Sequence, residues 1–298
     1  MKLFLIRHAE CEHNVGQASD NAKDPNLTDN GKSQVDLLAR HFRDRGVRFT
    51  HVFSSDLDRA SDTARGICQQ QLGGRLLAPF QTSLLKEQYF GTMEGTRWQS
   101  AAPASTTGTP GTWQGGEPRY TGEESMASMR SRANSFLNDH LLPVVQNKPS
   151  SSNEEVVAIV AHGVILQVLW ECLTELFDPR DIHLGPGVSQ TDLGDYVQPT
   201  WSNSGYMELD VKQLPPAPTM LLAKSSRVVP VPGSVQTSIK TPGSLPFSGW
   251  AMTVMSVDNT SHLTGTQQVP RSGGAIRDTV HESRQQIMDD FYRLTGAA

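Results

Sequence analysis

This chain contains little cysteine and no long apolar run. The 298 residues include three cysteines, Cys11, Cys68 and Cys172, which lie far apart and form no Cys-x-x-Cys pair. This pattern argues against a disulfide-stapled secreted scaffold and a cysteine-rich zinc site, and it favours reduced thiols in the cytoplasm. The apolar run at residues 3–6 is too short for a signal peptide, and no stretch approaches the roughly 20 residues of a membrane span.

Charge is also limited in amount and bias. Charged residues make up 19% of the chain and the formal net charge is -5, which argues against a nucleic-acid-binding or membrane-surface protein. A small anionic substrate is still compatible, because Arg and His can make one pocket locally positive. The length and the 37% apolar content predict a globular chain with one large domain or two small ones. The sequence carries no signal for an oligomeric state.

Short apolar runs alternate with amphipathic helical patterns over the first 211 residues. Such runs are typical of strands buried on both faces of a parallel sheet. The alternation predicts a three-layer α/β/α sandwich with a mostly parallel central sheet. The predicted elements are strands at 3–6, 51–53, 156–161 and 205–211 and helices at 28–46, after 54–56, at 123–142 and at 165–173, with Pro143 ending the helix at 123–142.

Composition divides the chain into two parts. Residues 1–211 are the predicted catalytic domain, with a loop inserted at 96–122 where Pro, Gly, Thr and Ser replace any periodic pattern. Residues 212–298 are a predicted C-terminal extension that begins with a Pro/Ser-rich linker. A strand near 250–257 and a helix near 278–294 follow, and we expect both to pack on the core.

Polar side chains follow three of the predicted strands. Arg7 and His8 follow the first strand, and Arg59 lies one turn into the helix after the second. His162 and Gly163 follow the most apolar strand. Because ligands of open parallel sheets bind beyond the carboxyl ends of the strands, near helix N-termini, we expect these residues to share one crevice.

Two imidazoles and two guanidiniums in one crevice suit phosphoryl transfer. Guanidiniums hold the non-bridging oxygens, one imidazole can form a covalent intermediate, and a second can stabilise charge on an equatorial oxygen. The leaving alkoxide needs a proton, and Glu87, in an irregular segment before Gly91, is the candidate acid. We expect no metal and no cofactor, because Arg and His supply the positive charge.

Six short blocks occur along residues 1–211 in a defined order. They are Arg7-His8-Ala9-Glu10 with Asn14, residues 27–31 with Gln34, residues 54–60 with Thr63-Ala64, Glu87 with Gly91, Glu94 and Gly95, His162-Gly163, and Asn203-Ser204. In this order the blocks resemble the histidine phosphatase superfamily, in its phosphoglycerate mutase-like branch. Residues 256–263 (SVDNTSHL), followed by Gly265, resemble a C-terminal extension of fungal phosphoglycerate mutase-like proteins.

The resemblance implies a role for each residue of the crevice. His8 would be the phosphorylated nucleophile, His162 its catalytic partner, and Glu87 first the general acid and then the base that activates water. The implied phosphate-binding residues are Arg7, Asn14, Arg59 and Gly163. His262, by contrast, is expected to be a structural hydrogen bonder, because no other reactive group lies near it in the sequence.

Departures from the family pattern bear on the reaction. Ala9 stands where the family usually has Gly, and Lys86 and Gln88 flank Glu87 unlike in dedicated mutases. The segment at 96–122 also lacks a mutase-type sequence. The surroundings of Glu87 and the insert favour hydrolysis over mutase activity. The prediction is therefore a metal-independent phosphatase that hydrolyses a phosphomonoester of a small metabolite through a phosphohistidine on His8. A phosphoglycerate mutase-type phosphotransferase and a catalytically silent phosphate-binding module are the alternatives.

Overall fold

A computed structural model describes residues 1–15, 24–71, 77–91, 122–146, 154–189, 199–215 and 245–264. The strands are β1 (Lys2–Arg7), β2 (His51–Ser55), β3 (Phe80–Thr82), β4 (Val156–Ala161), β5 (Ile182–Leu184), β6 (Tyr206–Gln213) and β7 (Trp250–Asn259). The helices are α1 (Asp29–Asp44), α2 (Asp58–Gln69), α3 (Met126–Phe136), α4 (Leu142–Gln146) and α5 (Gly163–Thr174). None of these helices has both the length and the apolar content needed to cross a bilayer.

Within the described residues the strands form one seven-stranded sheet in the order β3-β2-β4-β1-β6-β7-β5. Strands β1, β2, β3 and β4 run parallel to one another. Strand β6 runs antiparallel to both of its neighbours, β1 and β7. The carboxyl ends of β1, β2 and β4 therefore share one edge of the sheet, which is the arrangement the site prediction requires.

Alternating side chains of β1 build a core on each face of the sheet. Leu5 lies in a buried cluster with Phe136 of α3 and residues of α5. Phe4 points to the other face, where its ring packs edge-on against Phe42 of α1 at a centroid distance of 5.2 Å. A central strand that is apolar on both faces needs helices on both sides to bury it. The predicted three-layer sandwich is confirmed.

One helix boundary agrees with the sequence prediction and one differs. Helix α2 begins after 54–56 as predicted; the residue before it, Leu57, gives no side-chain cap, and the carboxylate of Asp24 accepts the N–H of Asp58 at 2.6 Å. Pro143 does not end its helix, because a π-helical turn at Leu137–Leu141 leads directly into α4. Pro143 therefore lies inside a continuous helix, where its ring nitrogen has no N–H to donate to the preceding turn.

The strand predicted near 250–257 is present as β7, and it pairs with β6. Contacts divide the chain into a unit of Met1–His262 and a unit of Leu263–Ala298. The division at residue 211 stays a prediction. Residues 96–121 of the predicted insert and the whole helix near 278–294 lie outside the described residues.

Candidate active site

His8 and His162 meet at the carboxyl edge of the sheet. Each follows directly on a strand, and the last residues of those strands, Arg7 and Ala161, pair in parallel register. The two imidazole centroids are 5.1 Å apart. The crevice expected from the strand order therefore contains both histidines.

The main chain fixes the tautomer of His8. Its Nδ1 lies 2.7 Å from the carbonyl oxygen of Ala9, and the imidazole is buried. Because a carbonyl can only accept a hydrogen bond, Nδ1 donates it, and in the neutral ring Nε2 carries the lone pair. Nε2 is then the ring nitrogen that could act as a nucleophile. The residue at which the sequence departs from the family, Ala9, supplies the orienting carbonyl.

His162 is fully buried at the start of α5, and it is held neutral. Burial lowers its pKa well below the usual value, and the charges of Arg59 and Arg7, together with that of His8 when it is protonated, lower it further. Neither ring nitrogen has a hydrogen-bond partner among the described residues. Such atoms are uncommon in folded proteins and call for an explanation. A ligand oxygen beside the ring could accept from whichever nitrogen carries the proton.

Two guanidiniums reach this crevice from different elements. Arg7, at the end of β1, donates from Nη1 to the carbonyl oxygen of Trp201 at 2.5 Å. Arg59, in the first turn of α2, donates from Nη1 to Asp24 at 3.0 Å. Arg7 ends β1 and Arg59 follows β2 at the same edge of the sheet, and both charges lower the pKa of His162. The arrangement provides two fixed positive charges beside two imidazoles.

Glu87 lies at the N-terminus of the helix that His162 precedes. Its Oε1 accepts the N–H of Ile165 at 3.2 Å, and its Oε2 accepts the N–H of Val164 at 3.4 Å. A Cβ placed on Gly163 would lie 4.0 Å from Oε2, an ordinary contact. The predicted acid, Gly163 and His162 therefore lie together.

Sequence reasoning missed Arg132, which organises the segment before Glu87. Its Nη1 donates to the carbonyl oxygens of Leu84 at 2.8 Å and Lys86 at 3.0 Å. Its Nε and Nη2 bind the two carboxylate oxygens of Glu124 at 2.8 and 2.7 Å. No spacing signal could reveal this role, because the carbonyls lie 46 and 48 residues away in sequence.

Asn14 holds the loop that follows His8. Its Oδ1 accepts from the backbone N–H of Cys11 at 3.1 Å and from Nδ2 of Asn203 at 3.0 Å. Asn203 also donates to the carbonyl oxygen of His8 at 3.2 Å. Asn14 is thus connected to the main chain of His8 through Asn203, while its predicted contact with phosphate stays a prediction.

Glu10 fastens the same loop to α1. Its carboxylate accepts from the hydroxyl of Thr28 at 2.7 Å and from the amide of Asn30 at 3.0 Å. The loop backbone presses so closely on the helix that a Cβ on Gly31 would lie 1.9 Å from the carbonyl oxygen of Glu10. A glycine is therefore required at this point for packing.

The three cysteines are free and buried. Burial raises the pKa of the Cys68 thiol to about 11 and also raises that of Cys172. A raised pKa disfavours the thiolate, the reactive form of cysteine. In the described part of the chain, no group of three or more His, Cys, Asp or Glu side chains is placed to hold a metal ion.

Comparison with known proteins agrees with this geometry. Residues 3–189 match the histidine phosphatase superfamily (branch 1). A broad-specificity phosphatase of Saccharomyces cerevisiae is 27% identical over 175 residues, covering 58% of this chain and 70% of that protein. A 2,3-bisphosphoglycerate-dependent phosphoglycerate mutase of Allorhizobium ampelinum is 27% identical over 189 residues, covering 62% of this chain and 86% of that protein.

A solved structure of a protein named mycobacterial hydrolase 1 shares the fold. It has a TM-score of 0.52 and 19% sequence identity, and it covers 87% of this chain and 98% of that one. The family match spans more than half of the chain, and it includes Arg7, His8, Arg59, Glu87 and His162. The chain belongs to the histidine phosphatase superfamily, branch 1.

Proposed function

We propose that this protein hydrolyses a phosphomonoester of a small metabolite, without a metal, through a phosphohistidine formed on His8. The broader part, that the chain is a phosphoric monoester hydrolase, is confirmed by the family match together with a relative named as a phosphatase. The observation that carries the finer part is the pair of imidazoles 5.1 Å apart, with both nitrogens of His162 lacking a partner among the described residues.

The first chemical step is transfer of the phosphoryl group to His8. Its Nε2 attacks phosphorus in line with the ester oxygen. Nδ1 keeps its proton, which stays hydrogen-bonded to the carbonyl oxygen of Ala9. The bond from phosphorus to the ester oxygen breaks, and Glu87 gives a proton to the leaving alkoxide. Arg7, Arg59 and His162 hold the three equatorial oxygens, on which the charge is spread.

The second step releases inorganic phosphate. Glu87, now a carboxylate, takes a proton from a water molecule as that water attacks the phosphohistidine. The bond from phosphorus to Nε2 breaks, and the lone pair returns to His8. Glu87 regains the proton it lost in the first step, so the cycle closes with no co-reactant except water.

The proposal includes the class of substrate and the compartment. A small phosphorylated metabolite suits a site in which the charges of Arg7 and Arg59 lie in one crevice, while the whole chain has a net charge of -5. The low net charge also supports the expectation that nucleic acid is not a partner. Three free cysteines support a cytoplasmic location.

Hydrolysis of p-nitrophenyl phosphate in EDTA tests the proposed reaction. We expect the wild-type protein to release phosphate, and we expect His8→Ala to abolish both turnover and the acid-labile phosphoenzyme trapped from labelled substrate. His183→Ala is the matched control, because this histidine lies exposed on the edge strand β5. A His8→Ala variant that retained full activity would refute the mechanism.

Two further outcomes separate the alternatives. Interconversion of phosphoglycerates that depends on a bisphosphate primer would identify a mutase. Binding of vanadate without any turnover would identify a silent binding module. A panel of phosphorylated metabolites, assayed for released phosphate, then identifies the substrate.

A further inference from the structure

Two residues of the motif at 256–263, Asp258 and His262, bind one turn of the chain that contacts the candidate site. Asp258 accepts from the backbone N–H and from the hydroxyl of Ser202, both at 2.7 Å. The Nε2 of His262, which is buried, lies 3.0 Å from the hydroxyl of Ser204. Both side chains therefore act on the same turn, residues 202–205, which we name the clamp turn.

The clamp turn holds the main chain of the proposed nucleophile. The backbone N–H of Ser204 donates to the carbonyl oxygen of His8 at 3.1 Å, and the amide of Asn203 donates to the same oxygen at 3.2 Å. The carbonyl oxygen of Gly205 accepts the N–H of Arg7 at 3.1 Å. Movement of this turn would therefore move both Arg7 and His8.

The conformation of the clamp turn is one that its sequence does not favour. Ser204 has φ of +56°, and Asp258, which binds the turn, has φ of +42°. Side chains other than glycine adopt this left-handed region rarely, and they stay in it only when surrounding contacts require it. The contacts are close, because a Cβ on Gly205 would lie 2.3 Å from the Asp258 carboxylate.

We infer that Asp258 and His262 are positioning residues for the proposed phosphoryl transfer, acting through the clamp turn on the backbone of His8. The end of the C-terminal strand β7 and the residues just after it thus complete the site without touching the substrate. Displacement of a reacting group by about 1 Å can lower a rate about a hundredfold, so a clamp on the nucleophile has a measurable effect. This inference rests on the proposed function.

A double-mutant cycle on the full chain tests the inference. We expect Ser204→Ala and His262→Ala each to lower kcat/KM for p-nitrophenyl phosphate about threefold to tenfold, the range expected for one lost hydrogen bond. The double variant should be no slower than the slower single variant, because both changes remove the same bond. His262→Gln should restore most of the rate, since its terminal amide reaches the position of Nε2.

The matched control is Ser256→Ala, on β7, the strand that also carries Asp258. The Ser256 hydroxyl has no hydrogen-bond partner among the described residues, so this variant should keep the wild-type rate. All rates are measured below the unfolding transition of each variant, as shown by circular dichroism. A folded His262→Ala variant with wild-type kcat/KM, or a double variant whose losses multiply, would overturn the inference.

A spectroscopic measurement separates failure of the clamp from failure of the proposed function. In nitrogen-detected NMR spectra, the His8 ring should show the Nδ1–H tautomer in the wild type. Its resonances should shift in His262→Ala and in Asp258→Ala, and Asp258→Asn, which keeps an acceptor for Ser202, should shift them less. If the wild type turns over no substrate, the proposed function fails, and these shifts still decide the positioning role. If the wild type turns over substrate and the His8 resonances do not shift in any of the three variants, the positioning role alone fails.

Discussion

Replacement of Arg132 by methionine removes one guanidinium that makes four hydrogen bonds. Two of them reach the carboxylate of Glu124, and two reach the carbonyl oxygens of Leu84 and Lys86. The methionine keeps most of the apolar stem. The change therefore removes the charged partner of the Glu124 carboxylate, and it leaves the carbonyls of Leu84 and Lys86, just before Glu87 in the chain, without this donor.

The expected loss of stability in Arg132→Met is about 3 kcal/mol at neutral pH. Removal of one member of a buried ion pair costs about 3–5 kcal/mol. The side chains of Arg132 and Glu124 are 19% and 14% exposed, so water screens part of this cost. Loosening of residues 84–87 should also lower kcat for p-nitrophenyl phosphate at least tenfold, because a small displacement of the proposed proton donor, Glu87, slows the reaction.

The loss should depend on pH with a definite sign. Burial by itself raises the pKa of Glu124, but hydrogen bonds from Arg132 and Ser128 outweigh burial and lower it. A lowered pKa in the folded state adds stability above the unfolded value and loses it as the pH falls. The gap between wild type and Arg132→Met should therefore be widest at neutral pH and should narrow below about pH 4.5.

Urea unfolding with Arg130→Met as the matched control measures this effect. Arg130 lies on the same helix, and it makes its ion pairs at the surface, where its side chain is 35% exposed. Exposed pairs contribute about 0–1 kcal/mol, so the control should lose less than 1 kcal/mol. Adding Glu124→Gln to Arg132→Met should recover part of the loss. Equal losses in the two arginine variants, with kcat unchanged in both, would refute the reasoning.

Three other predictions concern the site and the core. Burial lowers the pKa of His262 to about 4. As the pH falls, the unfolded chain takes up the proton first, so the free energy of unfolding should fall by about 2 kcal/mol through this residue between pH 7.5 and pH 5. In urea titrations, the free energy of unfolding of His262→Gln should therefore change by about 2 kcal/mol less over this pH range. Glu87→Gln should lower kcat/KM, which reports the phosphoryl transfer to His8, about 10²–10⁴-fold for an alkyl phosphate and less for p-nitrophenyl phosphate, whose leaving group needs little protonation. Equal effects on the two kcat/KM values would argue against an acid role. Gly31→Ala should cost about 3 kcal/mol or more in urea unfolding, since the new Cβ meets the backbone of Glu10, whereas the exposed change Ser33→Ala should stay within about 0.5 kcal/mol.

The sequence by itself determined the layers of the fold and the edge at which the site lies. The apolar runs before Arg7 and before His162 are buried on both faces, so they had to be central strands with helices above and below. Parallel central strands place their carboxyl ends on one edge of the sheet. Two histidines that directly follow such strands therefore meet, and this could be predicted without coordinates.

Only the tertiary structure decided how each group of the site is held. The tautomer of His8 depends on the direction of one carbonyl, that of Ala9. The support of the segment before Glu87 by Arg132 and of the turn beside His8 by His262 depends on hydrogen bonds between residues that are distant in sequence. Local periodicity and capping patterns carry no information about such bonds, because their partners are brought together by the packing of whole helices and strands.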